Sequence, residues 1–204
     1  ARALGVPLRF MTHFANTHHR GDASVAAQIA RFEALLGATP GERSLANSGA
    51  VLAYPAAHGD WVRPGLMLYG VSPFDGELGT ALDLRPVMTL RSKLIAVRRV
   101  RAGEAVGYGG AFVCPEDMPV GVVAYGYGDG YPRHGGTGTP VLVRGIRTQV
   151  IGHCSMDMTA VDLRPVPNAR FGDAVTLWGV GLPIEEVARA SGTIPYELLC
   201  RVRM

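Results

Sequence analysis

Val120-Gly121-Val122-Val123-Ala124-Tyr125-Gly126-Tyr127-Gly128-Asp129-Gly130-Tyr131-Pro132-Arg133 is an apolar run that ends on a tyrosine set between glycines. The valines predict a strand. The glycines leave the backbone bare and allow φ > 0, so another group can come close to Tyr127. A phenol at the end of a stiff strand, on a glycine-lined turn, is well placed to move a proton. Chemistry of that kind normally needs a lysine too, and the chain contains a single one, Lys93.

Around this stretch the chain reads as short strands and turns. Residues 88–101, 106–113, 120–125, 141–144, 148–152, 158–163 and 174–178 are strand candidates. Arg101-Ala102-Gly103-Glu104 and Arg144-Gly145 read as their turns. Such spacing predicts a small barrel or sandwich. One late helix, 184–191, follows Pro183 and is closed by Gly192.

Upstream of about residue 80 the texture differs. Residues 8–14 read as a strand, and 25–36 as a helix capped by Asp22 or Ser24, with Ile29, Phe32, Leu35 and Leu36 on one face. A short strand at 43–46, a short helix at 48–54 and a strand region at 61–70 follow. Alternating strands and helices imply βα units and a parallel sheet. The expectation is α/β plus all-β: residues 1–80 as one domain and 81–204, with Tyr127, as a β-domain.

With 204 residues and 48% hydrophobic composition the chain can bury a core. The net charge of +3 is spread over arginines that often neighbour acids, as in Asp83-Leu84-Arg85 and Asp162-Leu163-Arg164. No basic run with interleaved aromatics supports nucleic-acid binding. Cys114, Cys154 and Cys200 form neither a CxxC motif nor an even set, which fits reduced thiols in a reducing compartment. No stretch approaches the ~20 apolar residues of a membrane span. A cytoplasmic protein is expected, and the opening Ala1-Arg2-Ala3-Leu4-Gly5, with no initiator Met, reads as a cut start.

If the first texture belongs to a (β/α)8 barrel, active-site groups lie at the carboxyl ends of its strands and phosphate binds beside the last two. Asn47-Ser48 and Arg63-Pro64-Gly65-Leu66 stand at those places; alone, they also read as a helix cap and a turn. His13, in an apolar strand, also reads as a core histidine. His18 and His19 lack acidic partners at metal-ligand spacing, so no metal is expected. Met156-Asp157 also reads as a β-bulge with a buried Met. No sequence pattern activates Cys154 as a nucleophile, and Ser48 lacks the GxSxG elbow of hydrolases.

In this order the pieces resemble the alanine racemases, from about Met11 to Cys200. The strongest matches are Gly126-Tyr127-Gly128-Asp129-Gly130 with Tyr131-Pro132-Arg133, and Ser155-Met156-Asp157-Met158. Thr12-His13-Phe14-Ala15, Ala46-Asn47-Ser48, Arg63-Pro64-Gly65-Leu66-Met67-Leu68-Tyr69-Gly70 and Tyr196-Glu197-Leu198-Leu199-Cys200 support them. The resemblance implies the last βα units of a (β/α)8 barrel followed by a C-terminal β-domain. It also implies a homodimer whose active sites are shared between subunits, pyridoxal 5'-phosphate as cofactor and alanine as substrate. By the same resemblance Tyr127 handles the α-proton on one face of the cofactor-bound substrate. Ser48, Gly65, Leu66 and Tyr196 hold the phosphate, and Arg63 faces the pyridine nitrogen. His13 links Arg63 towards the tyrosine, and the Met156 main-chain N–H meets the substrate carboxylate. A free tyrosine ionises near ~10, so a tyrosine base needs nearby positive charge, which an Arg–His relay would supply.

The sequence departs from the family in several places. The family's lysine, which anchors the cofactor and is the second base, belongs to an early part of the barrel. Such a barrel takes about 250 residues, and residues 1–80 match only its last three units. Lys93, in a β-domain strand, reads as a surface lysine. Position 128 is Gly where the family usually has Ala, position 154 is Cys, and the Arg201-Val202-Arg203-Met204 end is shorter than the family's. The expectation is a C-terminal portion of an alanine racemase, inactive alone. A broad-specificity amino-acid racemase and a non-catalytic dimerising β-domain are the alternatives.

Overall fold

The computed structural model describes residues 5–202, and the chain divides into two units, Ala1–Arg85 and Pro86–Met204. The extreme ends discussed above, residues 1–4 and 203–204, lie outside the described residues.

In the first unit, β1 (Arg9–Met11), β2 (Glu42–Asn47) and β3 (Trp61–Arg63) pair in parallel in the order β1-β2-β3. Two helices connect them, α1 (Ala23–Leu36) and α2 (Ser48–Ala53). Asp22, not Ser24, caps α1: its carboxylate accepts the Ser24 N–H at 2.7 Å. Ile29 and Phe32 pack on a core of Phe14, Val25, Leu45, Ala46, Ala50 and Ala57. Leu35, expected on that face, is 79% exposed. Successive helical residues turn by about 100°, which places position 35 at the rim of the stripe formed by 25, 29, 32 and 36. The strand expected at 61–70 stops at Arg63, because Pro64 has no N–H to continue a ladder. Leu66–Tyr69 instead winds into a 3-10 turn.

In the second unit, β4 (Leu90–Val100), β5 (Ala105–Val106), β6 (Phe112–Val113), β7 (Met118–Val123), β8 (Pro140–Val143), β9 (Ile146–Gln149), β10 (Thr159–Asp162) and β11 (Ala174–Trp178) follow one another. Six of them form an antiparallel sheet in the order β10-β7-β4-β11-β8-β9. Its two edges meet where Val150 bridges Val161 and Ile151 N–H donates to Ala160 O at 2.9 Å. The sheet thus closes into a small barrel, the first of the two expected forms, and closure removes its free edges. Leu94, Val123, Val141, Val143, Val161, Val175 and Leu177 are buried in the core. Arg144 (φ 53°) and Gly145 (φ 79°) make the tight β8–β9 turn, both in the left-handed region a two-residue hairpin requires.

The strand expected at 106–113 splits into the β5–β6 pair, because Gly107, Gly109 and Gly110 take positive φ between them. The late helix α3 (Ile184–Ala190) is present, and α4 (Pro195–Arg201) follows it, a helix the sequence reading missed. Pro195 in the first turn of α4 was its available signal. No helix among the described residues is long and apolar enough to cross a membrane.

Candidate active site

The carboxyl ends of the three parallel strands carry the first cluster. His13 follows β1, Ser48 follows β2 and Arg63 ends β3. The Arg63 guanidinium reaches back across the sheet. Its Nη1 donates to Ser44 Oγ at 2.6 Å and its Nη2 to Thr12 O at 2.8 Å, with His13 Nδ1 3.5 Å away. The planar fork is therefore held by β1 and β2 at once, a geometry a lysine could not reproduce. His13 is exposed, not a core histidine; in the strand alternation the buried place falls to Phe14.

Ser48 is buried, and its Oγ accepts the N–H groups of Gly65 (3.0 Å) and Met67 (3.3 Å). Asn47 caps α2 through Ala50 N–H at 3.0 Å and accepts the Thr17 hydroxyl at 2.9 Å, which fixes the backbone beneath Ser48. A Cβ built on Gly65 would meet nothing within 4 Å. The backbone there borders open space beside a hydroxyl and a turn of amides. Donors of this kind suit a phosphate. Arg63, permanently charged and unable to give up a proton, suits an unprotonated ring nitrogen. These donors fit pyridoxal phosphate.

The second cluster belongs to the barrel unit. Tyr127 begins a 3-10 turn just beyond β7 and is 38% exposed. Its N–H donates to Ser155 O at 3.0 Å, and Gly128 N–H donates to Met156 O at 2.7 Å. Two backbone hydrogen bonds thus join the tyrosine turn to the segment carrying Met156. Gly126 makes the join possible: a Cβ there would lie 2.5 Å from both Asp157 N and Met156 C, and closer still to Ser155 O. Met156 is 62% exposed, not a buried residue of a bulge, because residues 152–158 form a loop between β9 and β10 in which its side chain points outward.

Asp129 was missed in the sequence. Its carboxylate accepts Gly126 N–H at 2.9 Å and its carbonyl accepts the Tyr125 hydroxyl at 2.7 Å. A carboxylate three residues after Gly126, which caps the turn, is the capping-box spacing, the signal that could have revealed it. The Arg133 guanidinium lies 6.0 Å from the centre of the Tyr127 ring. Tyr131 stacks on Trp178 below the turn, and burial pushes its phenol well up. Cys154 is buried with its thiol 3.2 Å from Thr159 Oγ1, and burial raises its pKa, which opposes a nucleophilic role.

Tyr196 lies on α4 of the same unit, half exposed, its phenol pushed up by partial burial. Lys93 is an exposed β4 residue paired with Ala174 of β11, as the surface reading expects. In the first unit, an acidic partner for His18 and His19 does exist: Asp75 arrives from far along the chain, a proximity that sequence spacing hides.

The family model for the alanine racemase N-terminal domain matches residues 6–73, and that for the alanine racemase C-terminal domain matches 87–204. An alanine racemase of Nitrosococcus oceani is 55% identical over 201 residues, covering 98% of this chain and 56% of the relative. One of Halorhodospira halophila is 50% identical over 202 residues, covering 99% and 56%. The crystal structure of biosynthetic alanine racemase from Pseudomonas aeruginosa matches with a TM-score of 0.93 at 48% identity, covering 97% of this chain and 55% of that one. That of the Bartonella henselae alanine racemase with covalently bound pyridoxal phosphate matches with a TM-score of 0.85 at 30% identity, covering 96% and 54%. The chain spans about half the length of the relatives it matches. Its fold class is the last βα units of a (β/α)8 barrel followed by a C-terminal β-domain. With both family models matched and half the residues identical in relatives, the chain belongs to the alanine racemase family.

Proposed function

We propose that this chain forms part of an alanine racemase, which interconverts L- and D-alanine with pyridoxal phosphate and supplies or degrades D-alanine in the cytoplasm. Residues 1–80 contribute the cofactor-binding part and 81–204 the tyrosine-bearing part, in a homodimer that shares its active sites. The observation that carries the reading is the Arg63 guanidinium held across β1 and β2 with His13 at 3.5 Å, where an open backbone at Gly65 meets the Ser48 hydroxyl.

When bound, pyridoxal phosphate acidifies the substrate α-carbon by withdrawing its electrons. Ser48, Gly65, Leu66 and Tyr196 hold the phosphate. Arg63 serves the ring nitrogen and, having no proton to give, leaves it neutral. A neutral ring stabilises negative charge weakly. Proton removal and return are then best done by separate bases on opposite faces, since one base crossing over is too slow. Tyr127 Oη takes or returns the proton on one face, with His13 and Arg63 as its charged support. The Met156 N–H orients the substrate carboxylate. Lys93, exposed on the barrel strand β4, is given no part, so the 204-residue chain alone is proposed to be inactive.

The test is a chimera in which the matching part of the Nitrosococcus oceani relative is replaced by this chain. The chimera should racemise L-alanine, followed by loss of circular dichroism, and Tyr127→Phe should slow it by about 100-fold or more, the scale of a lost general base. A folded chimera that leaves alanine unchanged, or a Tyr127→Phe form as fast as its parent, would refute the proposal.

A further inference from the structure

We propose that His18, His19 and Asp75 form a binding site for a divalent transition metal on the first unit, separate from the cluster of Arg63 and Ser48. The ligand atoms of the three residues lie within 4.8 Å of one another. The imidazole rings of His18 and His19 have centroids 4.1 Å apart, and His19 Nδ1 is 4.0 Å from Asp75 Oδ2. Small rotations of the exposed His19 and Asp75 side chains and of the half-buried His18 bring such atoms to the ~2.0–2.2 Å bond lengths of a zinc ion.

The site is built by two segments already fastened together. Asp75 N–H donates to His18 O at 3.3 Å. Arg20 stacks on Phe74, its guanidinium carbon 3.7 Å from the ring centre, and pairs with Glu77 at 3.1 Å. Phe74 is buried, and its N–H donates to Ser72 Oγ at 3.1 Å. Chelation therefore need not order either segment, and Arg20, next to His19 in the chain, is already paired with a carboxylate. Asp22, which caps α1, adds negative charge to the same loop.

Two imidazoles and one carboxylate are borderline donors. They favour Zn²⁺, Ni²⁺, Co²⁺ or Cu²⁺ over Ca²⁺ or Mg²⁺, which take oxygen ligands. With three protein ligands, water fills the remaining position. Bound metal would tie the loop between His13 and α1 to the segment around Asp75. The consequence is a stiffer loop, tied through the Thr17 hydroxyl to Asn47 next to Ser48, with no part in proton transfer.

Calorimetric titration of the 204-residue chain with Zn²⁺ tests this, alongside His19→Ala and Asp75→Asn. One equivalent should bind, and each variant should bind at least about tenfold more weakly, since even an outer-shell change costs that much. Bound Co²⁺ should give a visible d–d band that Asp75→Asn removes, while Ca²⁺ should give no heat. Asp75→Asn keeps shape and size, so it reports even if His19→Ala fails to fold. Zn²⁺ affinity unchanged in Asp75→Asn, or binding transferred to His134 or His153 as shown by their alanine variants, overturns the proposal.

Discussion

Gly126→Ala is the sharpest perturbation of the tyrosine turn. At φ −141° the residue is extended, so alanine carries no backbone penalty there. The obstacle is steric. The added methyl would overlap Ser155 O, Asp157 N and Met156 C, all main-chain atoms with no side-chain rotation to relieve them. The loops must part, and with them go Tyr127 N–H to Ser155 O and Gly128 N–H to Met156 O. Two such bonds are worth about 1–3 kcal/mol together, and forced overpacking costs about 1–3 kcal/mol where relaxation is partial. The two terms overlap, because parting the loops relieves the clash, so a loss of about 2–4 kcal/mol is expected. Gly128→Ala is the internal control. Its methyl would come to 2.9 Å from the main-chain Met156 O and 3.2 Å from Met156 Cγ, a shallower overlap that costs an amount at the low end of the about 1–3 kcal/mol of overpacking. Urea unfolding of the 204-residue chain in a Trp61→Phe background, followed by the fluorescence of the buried Trp178, measures both. Equal midpoints for Gly126→Ala and the parent would show that the two loops are not joined as described, and would remove the argument that Tyr127 and Met156 act from one platform.

Asp129→Ala should lower stability by about 1 kcal/mol through loss of the Gly126 N–H cap, while Asp129→Asn keeps an acceptor and should lose less; the same urea experiment distinguishes them. Of the three thiols, Cys200 is exposed while Cys114 and Cys154 are buried with pKa values raised by burial. A colorimetric thiol reagent should therefore titrate one thiol in the native chain near neutral pH and three after denaturation; three at once would contradict the barrel packing. Ser48→Ala removes the acceptor of Gly65 and Met67 N–H and, in the proposed function, a donor to phosphate. A hydrogen bond to a charged group is worth about 1.5–3 kcal/mol, so pyridoxal phosphate binding by the chain, followed by absorbance, should weaken about 10- to 100-fold. Unchanged affinity would move the phosphate elsewhere.

Much of the fold is legible because the decisive signals are local. Asp22 before an apolar 3.6-residue stripe specifies α1, and Arg144-Gly145 between two apolar runs specifies the β8–β9 hairpin. The errors arise where a neighbour in space overrides local preference. Residues 66–69 are apolar enough for a strand, yet Pro64 stops the ladder and the Ser48 hydroxyl draws the Gly65 and Met67 amides into a turn. The strand spacing left barrel and sandwich both open, because the choice depends on Val150 and Val161 meeting across two sheet edges, and nothing in either neighbourhood announces the partner.

The candidate site divides along the same line. Tyr127 could be singled out because its glycines are unusual in themselves, and they announce a close approach, but the segment that approaches could not be read from them. They are spaced for close approach of another segment, and the segment is Ser155–Asp157, whose main chain fills the volume a side chain at 126 would need. The same logic explains why Asp129 went unread while Tyr127 did not. Tyr127 offers its own chemistry, whereas Asp129 matters only through the Gly126 amide and the Tyr125 hydroxyl it engages. Asp75 repeats the pattern, since it becomes a ligand candidate only beside His18 and His19. Residues that act by reaction can be named from type and setting, while residues that act by position need the three-dimensional partner. Mutations at positions such as 126 and 129 should therefore reduce stability together with function, while Tyr127→Phe should spare stability and remove the proposed proton carrier alone.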